Sequence, residues 1–260
     1  MDLQLTDKIA VVTGAGRGIG LAIARTLAAE GATVIGAART ISAELTRNSA
    51  DAIAVDLSTP TGPGQLVRSV LARHGDIDIL VNNVGGGDPA DLRAFNDYDD
   101  ALWQRTFDLN LFAAVRACRA ALPSLLRRRG VIINISSVGA RTPHVGPVPY
   151  NAAKAALNAF GKALAEEYAD RGVRAVTVSP AGTRTELWTD PGGFGATLAA
   201  AQGITQDELL ANLATAAGIS SGELIEPDHV ASLVTYLASP LAISATGNNY
   251  LVDGGAVKTA

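Results

Sequence analysis

"IAVVTGAGRGIGLAIARTLAAEGATVIGAART", residues 9–40, holds one complete structural sentence. A short apolar, β-branched run ends in a glycine-rich turn. An alanine- and leucine-rich stretch follows, closed by Gly31, and a second apolar run begins at Thr33. Continuous apolar runs of this length are strands covered on both faces, and glycine just past a periodic stretch is the usual helix stop. Strand, turn, helix and strand in that order make a βαβ unit with a right-handed crossover.

The same alternation continues to the other end of the chain. Strands are expected at 9–14, 33–37, 52–55, 77–82, 131–136, 174–179 and 249–253, with helices at 19–30 and 150–170, the latter closed by Gly172. Repeated βαβ units build a single α/β domain over residues 1–260: a doubly wound, Rossmann-like sheet of seven parallel strands with helices on both faces. Ligands of such sheets lie at the carboxyl ends of the strands. Residues 186–226 break the rhythm. This excursion carries "DPGGFG" and then Thr205 and Glu208 at capping-box spacing, which starts a short helix. So long a connection reads as a substrate lid, and Gly192, Gly193 and Gly195 suggest that it moves.

With 48% hydrophobic and 18% charged residues and a net charge of −4, the chain is an ordinary globule without the basic excess of a nucleic-acid binder. A single cysteine, Cys118, excludes an intrachain disulfide and a cysteine-rich zinc site, which fits a reducing cytoplasm. The start "MDLQLTDKIAVVTG" lacks a signal-peptide pattern, and no charge-free apolar stretch reaches membrane-spanning length, so no membrane partner is expected. His74, His144 and His229 are too scattered for a metal site. His144, in "ARTPHVGPVPY", either borders the substrate or is a surface imidazole. No Gly-x-Ser-x-Gly elbow supports serine hydrolysis.

Gly14, Gly18 and Gly20 let the turn approach a pyrophosphate at the opening of a helix. The spacing is Gly-x-x-x-Gly-x-Gly, because Ile19 stands at the last position of the commoner Gly-x-Gly-x-x-Gly fingerprint. At the end of the second strand, where an NAD site wants a carboxylate, the chain offers Ala38 and Arg39. A guanidinium there suits the 2′-phosphate of NADP(H), and Arg17 is placed to approach from the other side. Both arginines could instead be simply solvated. Asp56, after the third strand, is placed to meet the adenine amino group or to cap the next turn.

"YNAAK", 150–154, sets Tyr150 and Lys154 four apart and so on one helix face. An ammonium beside a phenol favours phenolate. Bringing the phenol from about pH 10 toward neutrality takes roughly 4 kcal/mol, so the pair is expected to depress the tyrosine pKa. Alone, the pair would be an ordinary core tyrosine ahead of a surface lysine.

Taken together, "TGAGRGIG" (13–20), "NNVG" (82–85), Asn110, Ser137, "YNAAK", "SPAGTRT" (179–185) and "VDGG" (252–255) resemble the short-chain dehydrogenase/reductase family from Lys8 to Gly255. The likeness is greatest to its NADPH-dependent ketone and ketoacyl reductases. The resemblance implies that Tyr150 is the general acid/base, with Lys154 its tuner and ribose ligand. Ser137 would polarise the substrate carbonyl, being better spaced than Ser136, and Asn110 would hold a water leading from Lys154. It also implies a cofactor set of Gly14, Arg17, Gly18, Ile19, Gly20, Arg39, Asp56, Leu57, Asn83, Gly85, Tyr150, Lys154, Pro180, Thr183 and Thr185, with Asn82 shaping the same loop as Gly85. Val84 and Ala181 depart from the alanine and glycine usual in the family.

The expected activity is hydride transfer between NADP(H) and a carbonyl or secondary alcohol, in the ketone-reducing direction. The alternatives are an NAD-dependent alcohol or polyol dehydrogenase and a non-catalytic NADP sensor. Trp188 is the aromatic best placed for a substrate-facing wall, while Trp103 reads as helix packing. The arginines of "RRRG" (127–130) read as partners of a helix C-terminus. The resemblance further implies a homo-oligomer, a tetramer, formed through the alanine-rich helices around 101–126 and 150–170.

Overall fold

The computed structural model describes residues 1–86, 93–143 and 146–258. Seven strands form one parallel sheet: β1 (Ile9–Thr13), β2 (Thr33–Ala38), β3 (Asp51–Ala54), β4 (Ile79–Asn82), β5 (Val131–Ile135), β6 (Arg174–Pro180) and β7 (Asn249–Val252). Their spatial order is β3-β2-β1-β4-β5-β6-β7, every neighbouring pair parallel. The order reverses between β1 and β4, which places the ligand crevice above those two strands.

Among the described residues, ten α-helices surround the sheet. They are α1 (Gly18–Ala29), α2 (Ala43–Arg47), α3 (Gly62–His74), α4 (Asp100–Phe107), α5 (Ala113–Arg128), α6 (Val148–Tyr168), α7 (Glu186–Thr189), α8 (Phe194–Gln202), α9 (Gln206–Ala216) and α10 (Pro227–Ala238). Successive strand residues face opposite sides, so Val12 and Val34 pack with Leu27 and Val234 from α1 and α10. Val11, Ile35 and Ile132 pack with Val70, Ala117 and Leu125 from α3 and α5 on the other face. The strands read from the sequence all form, with ends within two residues of expectation. Gly31 and Gly172 do close their helices, each at φ +87°.

A π turn, Asp108–Phe112, joins α4 to α5. The continuous run Asp100–Arg128 is long and apolar enough to cross a membrane by length and composition. Its Ala113, Ala117, Ala121 and Leu125 face is nevertheless buried in the core. The arginine run behaves differently from expectation. Arg127 pairs with Asp76 (Nε–Oδ2 3.0 Å) and Arg128 with Asp78 (Nε–Oδ1 3.0 Å), both across some 50 residues of chain. Arg129 caps the helix in the left-handed conformation at φ +51°. Long-range ion pairing therefore shares the role first given to the helix terminus.

The excursion after β6 holds α7, α8 and α9. It has its own small core of Leu213, Ala214, Ile219 and Leu224, against which Trp188 packs. Thr205 and Glu208 form the expected capping box at the start of α9. Two of the three glycines have a packing reason to be glycine. A Cβ on Gly195 would stand 2.2 Å from the Trp188 carbonyl oxygen, and one on Gly193 2.9 Å from that of Glu186, so these positions are glycine for close backbone approach. Only Gly192 of the three is open.

Candidate active site

A cleft of about 1080 Å³ opens at the carboxyl ends of the strands. Its floor is the glycine turn. Gly14 and Gly18 take positive φ, +66° and +55°, and a Cβ on Gly20 would lie 2.3 Å from the Gly14 carbonyl. Thr13 ties this turn to the loop after β4: its hydroxyl donates to the Val81 carbonyl (3.1 Å) and accepts from the Asn83 and Val84 amides (2.9 and 3.0 Å). The Asn83 side chain completes the tie by donating to the Thr13 and Gly14 carbonyls. At the start of α1 the N-cap residue, Arg17, lends no side-chain hydrogen bond. The first-turn amides therefore face the cleft uncapped, an anion-binding terminus. A dinucleotide fits these features: an uncapped helix start for its pyrophosphate, glycines that allow close approach, and a long cleft beyond them.

Arg17, Ile19, Arg39, Asp56, Leu57, Gly85 and Thr185 also line the cleft, with Tyr150 and Lys154 at its inner end. Asp56 accepts from the Ser58 amide (2.9 Å) and hydroxyl (2.7 Å), so it builds the turn after β3 as well as facing the cleft. Those bonds first, and the Arg39 charge after them, hold its carboxyl below the usual range. Pro180 and Thr183 are not among the lining residues, nor are Asn110 and Ser137, whereas Ser136 is. Pro180 ends β6 against Val252, and the Thr183 hydroxyl turns back to the Ala181 carbonyl (2.9 Å). Leu102, Arg105, Thr106 and Leu109 line the cleft without having been expected. They carry no motif, and only the packing of α4 and the π turn brings them there.

Four consecutive residues leaving β5 address α6 one after another. Asn134 lies under Gly161. The Ile135 carbonyl accepts from Lys154 Nζ (2.9 Å), and the Ser136 hydroxyl donates to the Lys154 carbonyl (3.2 Å). Ser137 accepts from the Gly139 amide (3.0 Å) and stands near enough to the Tyr150 hydroxyl to favour its ionised form. Lys154 is buried, and its ammonium lies 5.7 Å from the Tyr150 ring centre. Asn110 is buried in the π turn, where its side chain both donates to and accepts from the backbone of Gly86 (2.9 Å each). A Cβ on Gly85 would meet Asn110 Oδ1 at 2.8 Å and Lys154 Nζ at 2.9 Å, so glycine there keeps the two polar groups on one small space.

The electrostatics reverse the expected direction for the phenol. Burial raises the Tyr150 pKa above its ordinary value, and the Ser137 hydroxyl offsets only part of that. Burial also lowers Lys154 to about 8. In the protein by itself both groups are shifted toward their neutral forms, because the cleft wall removes water from each. Beneath the site, burial pushes the Cys118 thiol up to about 12, where it is inert.

Other candidates fall away from the cleft. Trp188 sits edge-on to Phe194 (5.1 Å) over the excursion's small core, and Glu186 and Leu187 are its side chains on the cleft wall. Trp103 stacks obliquely near Phe107, within its own helix, as expected. His74 pairs with Asp51 (2.9 Å). His144 lies outside the described residues. Among the described residues no cluster of three metal-ligating side chains occurs.

The sequence model of the short chain dehydrogenase family matches residues 8–191. The chain belongs to that family, whose members are oxidoreductases of alcohol and carbonyl groups. It is 32% identical over 259 residues to the 3-oxoacyl-acyl-carrier-protein reductase FabG of Vibrio cholerae, covering 97% of this chain and 98% of that one. It is 34% identical over 269 residues to 3beta-hydroxysteroid dehydrogenase 1 of Eggerthella lenta, covering 97% and 94%. Among solved structures, L-sorbose reductase of Gluconobacter frateurii, complexed with NADPH and L-sorbose, superposes over the whole of both chains with a TM-score of 0.91 at 32% identity.

Proposed function

We propose that this chain is an NADP(H)-dependent carbonyl reductase in which Tyr150, Ser137, Lys154 and Asn110 form the catalytic group. The observation that carries the reading is the seam at the inner end of the cleft, where a hydroxyl pair, Tyr150 and Ser137, stands beside a buried lysine. Bound in the cleft, the dinucleotide would supply the hydride. Tyr150 delivers the proton to the carbonyl oxygen, and Ser137 donates a hydrogen bond to the same oxygen as charge develops on it. Tyr150 holds its proton at neutral pH, the form that reduction consumes, and burial in the protein by itself keeps it in that form. Lys154, fixed by the Ile135 carbonyl, is placed to hold the ribose, and Asn110 faces the same space beside Gly85.

Cofactor choice rests on Arg39. It lines the cleft just beyond β2, where the strand ends in Ala38 rather than a carboxylate, and Arg17 lines the cleft beside the turn. A 2′-phosphate there gains a charge-assisted partner and meets no acid on β2. The NADPH complex of the sorbose reductase and the ketoacyl reductase relatives support the same choice. Isothermal titration should show NADPH binding more tightly than NADH, with the gap closing in Arg39→Ala; tighter NADH binding would overturn the cofactor reading. NADPH consumption across a panel of ketones should be found in the wild type and lost in Tyr150→Phe. A variant that turns over unchanged would return the protein to the sensor alternative.

The segment 186–226 acts in this reading as the wall over the substrate within a single domain, contributing Leu187 and Glu186. A homo-oligomer, a tetramer formed through α5 and α6, is proposed on the half-exposed Phe112 and the small side chains of those helices. A monomer in light scattering at micromolar concentration would refute it. The single buried cysteine suits work in the cytoplasm.

A further inference from the structure

Strand β5 reads Val-Ile-Ile-Asn-Ile and is wholly buried, so one amide stands in an otherwise apolar strand. Asn134 is fully buried, and Asn82 beside it is 3% exposed. They are register partners, and the row continues through Thr177 on β6 to Asn249 on β7. Asn82 Nδ2 donates to Asn134 Oδ1 (2.9 Å) and to Cys118 Sγ (3.2 Å). Asn134 Nδ2 and Asn82 Oδ1 have no partner, an arrangement that costs free energy and that an apolar pair would avoid. The row faces α6 at Gly161, where an added Cβ would stand 2.9 Å from both Asn134 Nδ2 and Thr177 Oγ1. No real Cβ approaches so closely, so the polar row and the glycine together fix how near α6 lies to β5.

We propose that Asn134 and Gly161 are positioning residues: their contact sets the spacing between β5 and α6, and thereby the meeting of Lys154 with the Ile135 carbonyl and of Tyr150 with Ser137. The inference rests on the catalytic reading of Tyr150 and Lys154. Neither Asn134 nor Gly161 touches reactants. Asn134 directly precedes Ile135, and Gly161 lies seven residues, two helical turns, beyond Lys154 on the face that meets the sheet. A helix lifted at Gly161 must therefore draw the lysine from its carbonyl. The groups around Lys154 are the Tyr150 ring, the Ile135 carbonyl at the end of β5, Ser136 just after it, Gly85 after β4, and Asn110 from the π turn. No carboxylate contributes to its shift.

The test is Gly161→Ala in the full chain, read two ways. The Lys154 amine is titrated by NMR in the free protein, and kcat is separated from KM in the NADPH-dependent reaction. The lysine should titrate about one unit or more above the wild type as water reaches it. Turnover should fall about ten- to a hundredfold, and the KM for NADPH should rise as the ribose loses its lysine. A folded variant whose lysine titration and kcat both match the wild type overturns the proposal. Asn134→Ser removes the amide without adding bulk and serves if the alanine variant does not fold; an unmoved lysine there overturns it equally. Failure of both to fold would assign the pair to stability and also overturn it. The titration needs neither cofactor nor substrate, so it separates this proposal from the catalytic reading, which Tyr150→Phe tests.

Discussion

Strand β5 and the residue after it meet helix α6 through buried groups, with Ile135 and Ser136 each bonded to Lys154. The excursion after β6, which adds Glu186 and Leu187 to the wall of the same cleft, is held quite differently. Its two ends are pinned by a single parallel bridge, Thr183 to Ile225, with the Arg184 amide donating to the Ile225 carbonyl (2.8 Å) and the Ile225 amide to that of Gly182 (3.0 Å). An exposed Arg184–Glu226 pair (2.9 Å) adds little. Inside it, the core is a small cluster of four buried side chains with Trp188, Leu210 and Ala217 packed against it. The seam is thus over-determined and the excursion marginal. Chemistry needs fixed distances at the first and tolerates, even needs, local opening at the second.

The hardest break on the seam side is Tyr150→Phe. It removes one oxygen from a partly buried site and leaves the ring packing intact. Turnover should drop about 10²- to 10⁴-fold, equivalent to about 3–5 kcal/mol of barrier, with an unchanged melting curve. A loss confined to KM would place the hydroxyl in binding instead.

Next comes the free energy stored at Lys154. Its folded pKa, about 8, lies below the unfolded value of 10.5. Between those values the unfolded chain binds the extra proton, so stability rises with pH there, and below pH 8 the whole penalty is present. The rise amounts to about 3 kcal/mol. Denaturant melts from pH 7.5 to 10.5 should show it in the wild type and show it missing in Lys154→Met. Equal slopes in both proteins would mean that the ammonium is better solvated than its surroundings imply.

These two regions also mark how far the sequence could be read. Every strand was legible, because a strand buried on both faces must be apolar along its length. Lys154 and Tyr150 were legible as one face because helix geometry alone puts i and i+4 together. What the pair does electrostatically was not. The sign of the phenol's shift depends on how much water the cleft wall removes, and that is a property of packing. The same limit applies to the row Asn82–Asn134–Thr177–Asn249, whose members are neighbours only through strand register. Arg127 and Arg128 found Asp76 and Asp78 by folding, where local reasoning offered only the helix end. In the lid, the capping box at Thr205 was readable because it is local. The glycines misled, since a loop glycine that gives freedom and one that admits a carbonyl look alike in sequence.

That last distinction gives a sharper test of the excursion. Gly195→Ala drives a Cβ into the Trp188 carbonyl, backbone against backbone, and should cost the lid about 1–3 kcal/mol. Because the lid has a separate core, the loss should be local. Proteolysis within 186–226 should speed up and the substrate KM should rise, while the global melting temperature barely moves. Gly192→Ala, at an open position, should do neither. Parallel behaviour of the two variants would restore the hinge reading.

The smallest effect belongs to the segment after β7. After β7, Gly254 and Gly255 turn at positive φ, and the tail runs back against the end of the lid. Gly254 accepts from the Ser221 amide (3.0 Å), and Gly255 from the Ser220 hydroxyl (3.0 Å). Lys258 Nζ then donates to the Gly218 carbonyl (2.9 Å) and the Ser220 hydroxyl (2.6 Å). Lys258 is exposed, so its clamp is worth under about 1 kcal/mol. Lys258→Ala should therefore leave turnover at saturating substrate untouched and raise amide exchange a few-fold at residues 218–222. Exchange that rises equally in β5 and α6 would contradict the separation of excursion from seam, because it would show the tail bracing the whole domain. Exchange unchanged at 218–222 would show that the glycine turn and its two backbone-anchored bonds already hold the lid's end without the ammonium.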